Sequence, residues 1–94
     1  MIIGFTGTRY GMSASQRLEF TKLILENRPT EIHHGDCVGA DDQAATLAYR
    51  IAESNGFHCE PIGHPPVDEK HRAFNKVTNI WLPAKTHFAR NRDI

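Results

Sequence analysis

Three carboxylates, two adjacent histidines and one arginine fall close to two glycine turns. The first turn is Thr6-Gly7-Thr8-Arg9, and the second is Gly35-Asp36-Cys37-Val38-Gly39-Ala40-Asp41. Each follows an apolar or β-prone run and precedes a helical pattern, so each reads as a strand-to-helix turn. Ligands of parallel α/β sheets bind outside the carboxyl ends of strands, where helix N-termini present N–H groups and partial positive charge to anions. Thr6 and Thr8 offer hydroxyls. Gly39 lets backbone approach a phosphate, and Arg9 can grip it with two hydrogen bonds. Gly7, Gly35, Ala40 and His64 complete the expected edge. Asp36, inside the turn, and Asp41 are the candidate acid or base. One of them could hold a ribose hydroxyl or Mg²⁺, the one cofactor these residues suggest. The plainer reading is that Asp41 and Asp42 complement the N-terminus of the helix they begin.

The six histidines do not spell out a metal site. His33 and His34 are neighbours on one strand and point to opposite faces, and no His–Cys pair has zinc spacing. No metal ligands are therefore assigned. His34 and His64 end neighbouring strands and could face the same pocket. Arg90 and Arg92 could reach a phosphate or a partner, or simply face solvent.

The elements that must position these groups follow from pattern. Ile2 to Thr6 is a short apolar strand. Ser13 and Gln16 make a capping box for a helix carrying Leu18, Phe20, Leu23, Ile24 and Leu25, which Asn27 and Pro29 stop. Glu31 to His34 is a second strand. Ala44, Leu47, Ala48, Ile51 and Ala52 repeat at helical spacing, and Asn55-Gly56 ends that helix. Phe57 to Ile62 is a third strand with Phe57, Cys59 and Ile62 inward, followed by His64-Pro65-Pro66. Asp68 is expected to cap a third helix carrying Phe74, Val77 and Ile80 or Trp81, broken by Pro83. A last helical start covers 86–94.

The order β-α-β-α-β-α predicts a single α/β domain over residues 1–94. Its form would be a Rossmann-like, three-layer arrangement with a short parallel sheet in strand order 3-2-1, flanked by helices. The first strand then lies at an open edge despite being the most apolar. Either a second copy covers that edge or the sheet continues in residues beyond Ile94. Homo-oligomerisation through that edge or the helices is expected.

Eleven basic and eleven acidic residues give zero formal charge, which argues against nucleic acid or an anionic membrane as partner. No apolar run has membrane-spanning length. Two unpaired-looking cysteines, Cys37 and Cys59, and a strand that begins at the N-terminus point to a cytoplasmic protein.

With these residues in view, the chain resembles the SLOG superfamily, which includes the DNA-processing protein DprA and the cytokinin-activating LOG enzymes. Gly7-Thr8-Arg9 and Gly39-Ala40-Asp41 match the two glycine turns of the DprA-type domain. His34-Gly35-Asp36-Cys37, Gly39-Ala40-Asp41, His64-Pro65-Pro66 and Arg90-Asn91-Arg92-Asp93-Ile94 are similar to small bacterial and phage members. The resemblance implies binding of a nucleotide or nucleotide-derived ligand through phosphate-accepting turns. It also raises two alternatives: cleavage of a nucleoside-phosphate N-glycosidic or phosphate bond using Asp36 or Asp41, and a DprA-like hold on single-stranded DNA. The Pro-Gly-Gly-x-Gly-Thr-x-x-Glu loop of LOG enzymes has no counterpart in this sequence.

Overall fold

The computed structural model of the chain describes residues 1–5, 7 and 10–85. Thr6, Thr8, Arg9 and the expected final helix, with Arg90 and Arg92, lie outside the described residues. The elements are β1 (Ile2–Phe5), α1 (Ala14–Asn27), β2 (Glu31–His34), α2 (Ala40–Ser54), β3 (Glu60–Gly63) and β4 (Ile80–Trp81). The four strands form one parallel sheet in the order β1-β2-β3-β4. The expected three-strand order 3-2-1 is corrected to this four-strand order, in which β4 adds beside β3.

Local chemistry explains both helices. Ser13 Oγ accepts the Gln16 N–H at 3.2 Å, and Gln16 Oε1 accepts the Ser13 N–H at 2.8 Å, which closes the capping box. Arg28, left-handed at φ 44°, ends α1 just before Pro29. α2 begins at Gly39, whose φ of 97° suits glycine alone, and ends at Asn55 ahead of Gly56 at φ 78°.

Both helices pack against the same face of the sheet. Phe20 and Ile24 of α1 meet Ala44, Ala48 and Ala52 of α2 over Ile32 and Cys59, with Ile3 and Phe5 packed at the margin. The alanines keep α2 close to the strands. Phe57 also packs against this cluster, though β3 starts only at Glu60. Ile62 is buried too, but its register opposite His33 puts it on the other face from Ile32. That other face is open at β1, where Ile2 is 63 % exposed. The described residues therefore make two layers where three were expected.

A third helix after Asp68 does not form. Residues 64–79 run as turns and short bridges. Asp68 Oδ1 does accept a nearby amide, that of Lys70 at 3.0 Å. Further on, however, the backbone N–H groups of Ala73, Phe74 and Asn75 turn toward Asp36 instead of toward carbonyls one turn back. Phe74 has φ 53°, which no right-handed helix contains. Tertiary hydrogen bonding overrides the apolar spacing of this stretch.

Candidate functional site

Gly7 of the first turn lies beside the second turn, as strand pairing of β1 with β2 requires. One carboxylate joins them. Asp41, in the first turn of α2 and 2 % exposed, accepts the Gly7 N–H at 2.6 Å through Oδ1 and the Gly35 N–H at 3.1 Å through Oδ2. An added Cβ on Gly7 would come within 2.6 Å of the Ala40 Cβ and 2.8 Å of the Phe5 ring. Glycine is required there because the Gly7 backbone is pressed against the start of α2. Asp41 and Asp42 also complement the positive end of that helix.

A cleft of about 650 Å³ opens beside Gly7 and the start of α1. Phe5, Met12, Phe20 and Leu23 give it an apolar wall, while Gly7, Gly11 and Ala40 bring backbone to its surface. Gly11, at φ 87°, lies against the side chain of Gln43, whose Oε1 accepts the Met12 N–H at 2.7 Å. The loop leading into α1 is thus tied to α2 as well.

Asp36 is fully buried, in a left-handed conformation at φ 56°. Its Oδ2 accepts Arg72 Nε at 2.7 Å and the Phe74 N–H at 3.1 Å, and its Oδ1 accepts the Asn75 N–H at 2.8 Å. Its carbonyl accepts the Ala73 N–H at 2.8 Å. Residues 72–75 are therefore wrapped round one carboxylate. Asn75 passes the network on. Its Nδ2 donates to Asp42 Oδ1 at 2.7 Å and to Thr46 Oγ1 at 3.0 Å. Its Oδ1 accepts the Thr78 hydroxyl at 2.7 Å.

His34 closes a ring of hydrogen bonds. The Asp36 N–H donates to His34 Nδ1 at 3.1 Å, so the proton sits on Nε2, which donates to Thr78 Oγ1 at 2.8 Å. Burial holds the imidazole pKa down at about 4, against partial relief from the Asp36 charge. His34 is thus a neutral structural group at neutral pH. On the opposite face, His33 Nε2 donates to Glu31 at 2.9 Å, and His33 Nδ1 lies 2.7 Å from His64 Nε2. The His64 ring thus meets the His33 ring edge to edge, tilted by 35°, while its backbone N–H bonds the His34 carbonyl. Among the described residues no group of three His, Cys, Asp or Glu side chains is placed to hold a metal ion. Burial also raises the Cys59 thiol to about 11, which leaves it unreactive.

Arg72, Phe74, Asn75 and Thr78 are the residues that sequence reasoning missed. Arg72 Cζ lies 4.2 Å from the Phe74 ring centroid and 4.9 Å from that of Trp81. A phenylalanine held at positive φ costs about 1–2 kcal/mol. Trp81 covers Gly63, where an added Cβ would fall inside the indole.

Comparison with protein families, with curated proteins and with solved structures returned no match to this chain. Among the described residues no helix is long and apolar enough to cross a membrane.

Proposed function

We propose that the chain binds a nucleotide or nucleotide-derived ligand, with its phosphate at the edge formed by the two strand-to-helix turns. The observation that carries this reading is the single Asp41 carboxylate bonded to the backbone of both turns, beside a cleft of small-molecule size. Asp41 already occupies the Gly7 and Gly35 amides. The phosphate is therefore assigned to the N-terminal amides of α2 around Gly39 and Ala40, with Arg9 as the added cation. The resemblance to SLOG proteins and the parallel pairing of β1 with β2, which brings Gly7 beside the second turn, support the same assignment.

Glycosidic or phosphate-bond cleavage by Asp36 or Asp41 has less support. Each carboxylate is nearly or fully buried, and both oxygens of each already accept hydrogen bonds from this chain. In this reading both are scaffold for the turns.

The test is a thermal-shift panel of nucleoside monophosphates, cyclic dinucleotides and ADP-ribose derivatives. A ligand of the native state raises Tm by mass action. The reading expects a dose-dependent rise that Arg9→Ala weakens. If no member of the panel moves Tm at millimolar concentration, the reading is wrong.

A further inference from the structure

Phe74 carries an unusual combination of features. Its backbone is in the left-handed region, yet more than half of the residue is open to solvent, at 53 % exposure. The strain is thus not explained by a need to bury the ring. It is maintained by Asp36, which takes the amides of Phe74 and Asn75 and the guanidinium of Arg72. Arg72 in turn lies over both Phe74 and Trp81, and Trp81 is itself partly exposed. A buried carboxylate therefore props up an aromatic–guanidinium–aromatic group at the surface. Backbone strain held in place by its surroundings, beyond what a helix cap needs, clusters at ligand sites.

We propose that the exposed ring of Phe74, with Arg72 and Trp81 packed behind it, forms a stacking site for a planar heteroaromatic ring of the nucleobase class. Exposed aromatic faces beside arginine bind bases with little regard to their identity, through stacking and cation–π attraction. The position agrees with the chemistry. The Val38 N–H bonds the His71 carbonyl, and Cys37 pairs with Arg72, so the platform flanks the turn that leads into α2. None of the three residues lines the cleft beside α1. The site goes beyond the phosphate reading and shares no residue with it.

Trp81 is the chain's single tryptophan, so its emission reports directly on the platform. AMP, adenosine and ribose 5-phosphate are titrated against it. Quenching by both AMP and adenosine indicates a ring held by stacking alone. Quenching by AMP only indicates a ring anchored through its phosphate. Either result supports the site. Ribose 5-phosphate acting as strongly as AMP, or no change with either base-bearing compound to millimolar concentration, overturns it. If ribose 5-phosphate raises Tm while the emission ignores the base, the phosphate reading survives and the stacking site does not.

Phe74→Gly supplies the second arm. Glycine adopts positive φ without strain, so Tm should hold or rise. Affinity for the quenching ligand should fall about tenfold or more. Unchanged affinity would overturn the proposal. If Tm falls as well, Phe74→Leu decides, since it keeps bulk without a π face: lost quenching supports the stacking role, and retained quenching overturns it.

Discussion

Asp36→Asn is the substitution that most directly probes the framework round the second turn. Asparagine tolerates the left-handed backbone at this position, so the change isolates the carboxylate. The wild-type group satisfies Arg72 Nε, the Phe74 N–H and the Asn75 N–H. In its better orientation the amide oxygen serves the first two, and the NH₂ then faces the Asn75 N–H. A buried unsatisfied donor costs about 1–3 kcal/mol. Removing one partner of a buried ion pair costs about 3–5 kcal/mol, less here because Arg72 keeps 16 % of its side chain in water. The combined loss should be about 3 kcal/mol. For a domain of this size that lowers Tm by roughly 12–24 °C and the urea midpoint by about 2 M. Urea unfolding followed by Trp81 emission measures it. A loss below about 1 kcal/mol would refute the claim that this carboxylate holds residues 72–75. So would additivity with Arg72→Met, because partners in one network must show coupling.

Two further outcomes follow from the same contacts. The folded pKa of His34 is depressed from 6.5 to about 4, so between these values the unfolded chain binds a proton that the folded chain refuses. Stability should therefore fall as pH drops from 6.5 to 4, by roughly 3 kcal/mol from this group; denaturation across that range should show a slope that His34→Gln reduces by one proton. Asp41→Asn leaves either the Gly7 or the Gly35 amide without its acceptor, at a cost of about 1–3 kcal/mol; hydrogen exchange at those two amides should quicken while that of mid-α2 follows only global stability.

How much of this was legible in the sequence depended on whether a signal was local. The capping box at Ser13 and Gln16, the alanine face of α2 and the Asn55-Gly56 stop are short-range chemistry, and the structure carries all three. The neighbourhood of the two turns also followed from pattern, since parallel pairing of successive strands leaves few alternatives. Asp41 stands in the first turn of α2, as its plainer reading has it, whereas Asp36 reads from the sequence as a group facing a ligand. Their actual partners are the chain's own amides and a guanidinium up to 39 residues away, a relation that no spacing reveals.

The stretch from Asp68 to Trp81 misled for the same reason. Phe74, Val77 and Trp81 are spaced like a helix face. The competing bonds to Asp36 and the hydrogen bonds of Asn75 Oδ1 with Val77 and Thr78 exist only once β2 and α2 are in place. Arg72 falls inside that expected helix, so its contacts with Phe74 and Trp81 leave no signal in the spacing.

The central claim is that phosphate sits at the α2 end of the paired turns. Two-dimensional ¹⁵N–¹H NMR with AMP as titrant tests it residue by residue. Saturable shifts are expected at the amides of Gly7, Gly39 and Ala40, with Asn55 and Gly56 at the far end of α2 unmoved. Shifts that leave Gly39 and Ala40 unchanged at saturating AMP, or none at millimolar concentration, would contradict it.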